Sequence, residues 1–197
     1  MNQDEKIVAI ACSTGGPSAL QSVIPFLPKN LDAPVLLVQH MPRGFTRSLA
    51  DRLNELSQLQ VKEAQEGELI EKGMVYVAMG GMHLNVVCRR DGRHVIHYSD
   101  EPAREGVKPC ANYMYESLAE SRYSRIVCVV MTGMGADGTA GIRKLKKEKD
   151  IYTLTQDETS CIVYGMPRCI VRAGLSDREV PLEKIAQEIV RCVGVQQ

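Results

Sequence analysis

Short apolar runs alternate with amphipathic stretches along most of the chain. Residues 7–12, 34–39 and 126–131 are almost continuously apolar, which is typical of strands buried on both faces of a sheet. Residues 46–57 and 182–193 instead repeat their leucines, isoleucines and valines at helical spacing. The alternation predicts an α/β fold with a mainly parallel sheet.

The middle of the chain has a different pattern. Residues 61–64, 74–78, 84–88 and 95–98 are short strand-like pieces separated by glycines, and residues 90–93 read as a hairpin turn. We therefore predict a short antiparallel insertion. The other predicted elements are helices at about 18–26, 111–121 and 139–149, a strand at 151–155 and a short helical segment starting at 165.

Length and composition indicate an ordinary globular protein. The 197 residues are 44% hydrophobic and 24% charged, so we expect one domain over residues 1–197. Basic and acidic residues both number 24, which disfavours broad attraction to nucleic acid or anionic lipid. The acidic start and the absence of a run of about 20 apolar residues predict a cytoplasmic protein without a membrane span.

The cysteines and histidines do not suggest a disulfide framework or a metal site. Seven cysteines are an odd number, and they are scattered without C-x-x-C spacing. We predict that they are reduced, small buried side chains. His94 and His97 lie three residues apart in a predicted strand, which places them on opposite faces and argues against a shared metal.

Candidate chemistry lies just after the apolar runs, since ligands bind at the carboxyl ends of strands in open parallel sheets. Ser13, His40 and Asp137 each follow such a run. A hydroxyl, an imidazole and a carboxylate together are the groups needed for acyl transfer. Gly15 and Gly16 favour a sharp turn that aims backbone N–H groups at a developing oxyanion. The order Ser, His, Asp differs from that of the α/β hydrolases, so a different fold is implied.

Two other interpretations remain open at this point. Each residue also fits a structural role: Ser13 or Asp137 as a helix cap, and His40 as a structural histidine. Residues 133–138 formally match G-x-G-x-x-G, and Asp157 follows 20 residues after Asp137, as in a dinucleotide site. A carboxylate inside that loop would repel a pyrophosphate, which argues against a nucleotide-dependent oxidoreductase.

Four motifs together resemble a known family. They are ACSTGGP around Ser13, QHMP around His40, MTGMGADG around Asp137, and QDETSCIVYGMP over residues 156–167. Their order and spacing resemble those of the catalytic domain of the chemotaxis protein-glutamate methylesterases (CheB). The resemblance extends from about residue 7 to the final helix.

The resemblance implies a three-layer, doubly wound α/β/α domain that hydrolyses glutamate γ-methyl esters on chemoreceptors, releases methanol and also deamidates receptor glutamines. It implies Ser13 as nucleophile, His40 as general base and acid, and Asp137 as the group that orients His40. Thr14 and Met134 match positions lining the family's active site and its oxyanion hole. The expected partner is a receptor cytoplasmic domain, without nucleic acid, membrane insertion, metal or organic cofactor.

The chain departs from the family pattern in three ways, of which Ala11-Cys12 in place of the usual Gly-Ala is a tolerable change in volume. Family members usually carry an N-terminal receiver domain, whereas this sequence starts at the first catalytic strand, so we expect a stand-alone domain without that control. Residues 108–112 read Lys-Pro-Cys-Ala-Asn where the family usually has Arg-Pro-Ser-x-Asp. If the lost hydroxyl and carboxylate grip the receptor, substrate recognition changes. A domain that binds receptors or signalling proteins without catalysis therefore remains an alternative.

Overall fold

A computed structural model describes residues 5–196, arranged as a central sheet with helices on both faces. The strands are β1 (Lys6–Cys12), β2 (Val35–Gln39), β3 (Gln60–Glu63), β4 (Met74–Val77), β5 (His83–Cys88), β6 (His94–Ser99), β7 (Arg125–Val130), β8 (Ile151–Gln156) and β9 (Arg178–Val180). The helices are α1 (Gly16–Gln21), α2 (Phe45–Leu56), α3 (Ala111–Ser117), α4 (Thr139–Glu148), α5 (Met166–Arg172) and α6 (Leu182–Val193).

Seven parallel strands form the main sheet in the order β3-β4-β2-β1-β7-β8-β9. Successive side chains of β1 point into two separate cores because a strand alternates its side chains between the two faces. Helices α1, α2 and α6 pack on one face, and α3, α4 and α5 pack on the other. This confirms the predicted three-layer, mainly parallel α/β/α fold.

The prediction for the middle of the chain is only half right. Strands β5 and β6 form the antiparallel hairpin, with Cys88 opposite His94 across the predicted turn. Strands β3 and β4 instead extend the main sheet, where both run parallel to β2. Short apolar pieces carry no signal for strand direction, and the ten residues between β3 and β4 are enough to return the chain to the same end of the sheet.

Two further elements differ from the sequence prediction. The helix predicted at 18–26 ends at Gln21 and is followed by a separate 3-10 turn, Ile24–Phe26, since Pro25 has no N–H to continue an α-helix. Strand β9 was not predicted because it has three residues, of which only Val180 is buried. Among residues 5–196, no helix is long and apolar enough to cross a bilayer. Of the acidic residues at the start of the chain, Asp4 lies outside the described residues.

Candidate active site

The sheet register places Ser13 and His40 side by side. Cys12 and Gln39 are the last paired residues of β1 and β2. The His40 N–H donates to the Cys12 carbonyl at 3.1 Å, and the Ser13 N–H donates to the Thr132 carbonyl at 3.0 Å. Ser13 therefore leaves the sheet between the loop that carries His40 and the loop that leads to Asp137.

The His40 imidazole is paired with the Asp137 carboxylate. Nε2 of His40 lies 2.6 Å from Oδ2 of Asp137, and both side chains are almost fully buried. Nδ1 of His40 is buried and has no hydrogen-bond partner among residues 5–196. If Nε2 carries the proton that the carboxylate accepts, Nδ1 is the nitrogen with a free lone pair. The imidazole is thus oriented by one carboxylate and has one nitrogen available for proton transfer.

Ser13 itself is partly buried and does not cap a helix. Its hydroxyl makes no hydrogen bond within the described residues, and α1 begins after Gly15 without a side-chain cap. Gly15 adopts a positive φ of 83°, which favours glycine at this sharp strand-to-helix turn. The interpretation of Ser13 as a helix cap is therefore wrong.

Asp137 accepts hydrogen bonds from four groups. Oδ2 accepts from His40 Nε2 and from the Ala111 N–H, each at 2.6 Å. Oδ1 accepts from the Cys110 thiol at 3.0 Å and from the Asn112 N–H at 2.9 Å. Burial opposes ionisation, but the hydrogen bonds from His40, Cys110 and Ala111 outweigh it, so the pKa of Asp137 is lowered. The carboxylate is therefore charged at neutral pH and does not cap its own helix, α4.

The altered segment 108–112 lies behind Asp137. Cys110 and Asn112 are both fully buried, and both contact the Asp137 carboxylate. Burial, together with the Asp137 charge, raises the pKa of the Cys110 thiol to about 12, so the thiol keeps the proton that it donates. The suggestion that these two positions grip the receptor is not supported, since neither side chain reaches the surface.

Thr14 directly follows Ser13 in the turn after β1, and Met134 lies on the neighbouring loop after β7. A Cβ on Gly133 would lie 2.8 Å from the Ser13 Cβ, so the Met134 loop is in contact with Ser13. The backbone N–H groups of Thr14 and Met134 have no acceptor within residues 5–196. Two such N–H groups beside a nucleophile have the chemistry of an oxyanion hole.

A third loop, between β8 and α5, completes the edge of the cleft. Thr132 Oγ1 accepts the Val163 N–H at 3.0 Å and donates to the Thr14 carbonyl at 2.9 Å. Ile162 packs over Gly15, where a Cβ would lie 2.7 Å from the Ile162 Cβ. Ile162 is 73% exposed, and Met134 is 69% exposed. These two side chains give the cleft an apolar rim.

Gln39 is the residue at this site that sequence reasoning missed. Its Nε2 donates to the carbonyl oxygens of Ser13 and His40, at 2.9 and 3.2 Å. A Cβ on Gly16 would lie 1.9 Å from Gln39 Oε1, so any larger residue there would displace the Gln39 amide. A glutamine at the end of a buried apolar run was the available signal, because buried amides need partners.

The dinucleotide interpretation does not fit the geometry. The loop 133–138 turns Asp137 into the protein, where it binds the start of α3. The Asp157 carboxylate accepts hydrogen bonds within its own loop, from the Ser160 N–H at 3.1 Å and the Thr159 hydroxyl at 2.9 Å. Neither carboxylate is placed to bind a ribose or to leave room for a pyrophosphate.

The structure also shows how deeply the cysteines and the two histidines of β6 are buried. All seven cysteines are free, and Cys12, Cys110 and Cys128 are fully buried while the other four are partly exposed. His94 is buried and His97 is exposed, on opposite faces of β6 as predicted. The described part of the chain contains no group of three or more potential metal-ligating side chains.

A parallel α/β sheet that carries a serine, a histidine and an aspartate at one edge defines the structural class of this domain. The family model for CheB methylesterase matches residues 8–189, and the chain belongs to that family. The crystal structure of the Thermotoga maritima CheB methylesterase catalytic domain superimposes with a TM-score of 0.92 at 39% identity, covering 96% of this chain and 99% of that one. The resemblance found in the sequence is thus confirmed.

Two curated relatives carry the name protein-glutamate methylesterase/protein-glutamine glutaminase. The protein from Bacillus subtilis is 49% identical over 189 residues, which are 95% of this chain and 52% of the relative. The protein from Pyrococcus abyssi is 49% identical over 186 residues, which are 94% of this chain and 50% of the relative. The chain therefore spans about half the length of the curated relatives that it matches.

Proposed function

We propose that this domain hydrolyses glutamate γ-methyl esters on methyl-accepting chemotaxis receptors and also deamidates receptor glutamines. The observation that carries the proposal is the 2.6 Å contact between His40 Nε2 and Asp137 Oδ2 beside the loop that bears Ser13. The names of the relatives supply the substrate class. Such a substrate places the domain in the cytoplasm, with a receptor cytoplasmic domain as its partner.

The chemistry needs only groups of the chain, a substrate and water. Ser13 Oγ attacks the ester carbonyl carbon while His40 Nδ1 takes the hydroxyl proton, and Asp137 stabilises the resulting imidazolium. The N–H groups of Thr14 and Met134 stabilise the oxyanion. Collapse of the tetrahedral intermediate breaks the bond to the methoxy oxygen, and His40 returns its proton so that methanol leaves.

The second half of the reaction restores the free serine. A water molecule attacks the acyl group on Ser13 while His40 takes one of its protons. The new oxyanion collapses, Ser13 Oγ leaves with the proton from His40, and the receptor glutamate is released. Glutamine follows the same route with ammonia as the first leaving group. Asp137 stays charged throughout, since its hydrogen bonds lower its pKa.

Methanol release from a methylated receptor cytoplasmic fragment tests this proposal. We expect the wild-type chain to release methanol and the Ser13→Ala variant to release none above background, since the hydroxyl is the attacking group. Equal release by both folded proteins would exclude Ser13 as nucleophile. If neither releases methanol but both retain the fragment in a pull-down assay, the domain is a binding module.

A further inference from the structure

Asn112 lies in α3 and Asp137 just before α4, and the side chain of each residue accepts hydrogen bonds from the start of the other helix. The Asp137 carboxylate accepts the N–H groups of Ala111 and Asn112 at the first turn of α3. The Asn112 side-chain oxygen accepts the N–H groups of Gly138 and Gly141, at 3.1 and 2.7 Å, at the first turn of α4. Since the first N–H groups of a helix have no partner within the helix, each residue supplies what the other helix lacks.

The junction between the two helices is closely packed. A Cβ on Gly141 would lie 2.8 Å from the backbone of Asn112, so only glycine permits this approach. Asn112 is 0% exposed, and its Nδ2 donates to the Glu105 carboxylate at 2.9 Å. Both the oxygen and the nitrogen of the Asn112 side-chain amide thus have hydrogen-bond partners.

We propose that Asn112 is a positioning residue for the hydrolysis, holding Asp137 so that one carboxylate oxygen faces His40. The inference rests on the proposed function and extends it to a residue that does not touch the substrate. Gly138 directly follows Asp137 in the chain, so the hydrogen bond from its N–H to Asn112 fixes the backbone that carries the carboxylate. The Asn112 amide accepts this hydrogen bond without placing a second negative charge beside Asp137.

Two substitutions separate the positioning effect from the charge effect. Asn112→Ala removes the acceptor of two buried N–H groups, so Asp137 loosens and stabilises the imidazolium of His40 less. We expect kcat for methanol release to fall about tenfold with KM unchanged, and the acid limb of the pH profile to move to lower pH. Asn112→Asp keeps the acceptor for the two N–H groups, but it loses the donor to Glu105 and adds a buried charge between Glu105 and Asp137. It should therefore retain more of kcat than Asn112→Ala and move the acid limb to higher pH.

Leu145→Ala is the matched control for simple loss of stability. Leu145 is a buried residue of α4, and its truncation destabilises that helix without touching the junction. We expect this variant to lose at least as much thermal stability as Asn112→Ala and to keep the wild-type kcat and acid limb. A similar fall in kcat for Leu145→Ala, or wild-type kcat and pH profile for Asn112→Ala, would overturn the proposal.

An NMR measurement keeps the inference independent of the substrate. The proton on His40 Nε2 that faces Asp137 gives a low-field resonance whose position reports the strength of that hydrogen bond. We expect it to move upfield in Asn112→Ala and downfield in Asn112→Asp. An unchanged resonance in both variants contradicts the positioning role. If the wild type releases no methanol but the resonance moves as expected, only the proposed function fails. Should Asn112→Ala not fold, the Asn112→Asp variant alone decides. A move of the acid limb to higher pH and of the resonance downfield supports the positioning role, and no change in either contradicts it.

Discussion

Gln39 Nε2 lies 2.9 Å from the carbonyl oxygen of Ser13 and 3.2 Å from that of His40. One buried amide therefore fixes the backbone of both residues where they leave neighbouring strands. Its Oε1 accepts the proton of the Cys12 thiol at 3.0 Å, so the amide itself has a fixed orientation. The separation of the serine from the histidine is thus set by a residue that need not contact the substrate.

Replacing Gln39 by methionine should reduce both stability and turnover. The side chain is similar in size but donates no hydrogen bond, so two partly buried carbonyl oxygens lose a donor. We expect the free energy of unfolding to fall by about 1–3 kcal/mol. We also expect kcat to fall more than KM rises. Urea denaturation and methanol release check the two effects, and a stable variant with normal kcat contradicts the role of Gln39.

The thiol of Cys110 should be replaceable by a hydroxyl but not by a methyl group. Cys110→Ser retains a donor to Asp137 Oδ1, whereas Cys110→Ala removes it. We expect kcat within about twofold of wild type for the serine variant and a loss of about tenfold for the alanine variant, since hydrogen bonds to charged groups contribute about 1.5–3 kcal/mol. Equal rates in the two variants would show that the thiol only fills space.

The sequence predicted the three candidate residues of the site because each follows an apolar run with a clear end. Ser13, His40 and Asp137 come after β1, β2 and β7, which are adjacent in the sheet. Strands buried on both faces give an unbroken apolar signal, and parallel strands bring their carboxyl ends to one edge. The roles of these residues in catalysis stay predictions, to be decided by the variants described above.

The supporting contacts could not be predicted in the same way. The contact of Asn112 with Asp137 joins residues 25 positions apart, and it depends on how closely two helices approach. The directions of β3 and β4 depend on where the connecting loop crosses, and residue type does not record this. A buried amide such as Gln39 indicates that partners exist, but only the folded structure shows which carbonyl groups they are.

Gly133→Ala should damage the site more than Gly135→Ala in the same loop. A Cβ at 133 would lie 2.8 Å from the Ser13 Cβ and 2.4 Å from Met166 Sδ, so the loop must move away from the serine. At 135 there is open space, but φ is 94°, so alanine there meets only backbone strain of about 1–2 kcal/mol. We expect a large loss of kcat for the first variant and a small one for the second. Equal kcat in the two variants contradicts the close approach at Gly133.

Stability should fall in mildly acidic solution because of His83. Its Nδ1 accepts the Cys110 N–H at 3.1 Å, and its Nε2 lies 3.1 Å from the Pro102 carbonyl oxygen. Only the neutral imidazole can accept at Nδ1. Burial is the main cause that lowers the pKa of His83, so the folded protein resists protonation there. The unfolded chain has no such restriction and takes up the proton below about pH 6.5.

Below that pH the unfolded state binds more protons than the folded state, so the free energy of unfolding rises with pH. One group contributes at most about 1.4 kcal/mol per pH unit. Urea denaturation between pH 5 and pH 8 should show a plateau above about pH 7 and a decline below about pH 6.5. His83→Gln should make the decline shallower. His94 contributes to the decline that remains, because burial also lowers the pKa of His94. The same slope in both proteins would show that His83 is protonated equally in the folded and unfolded states.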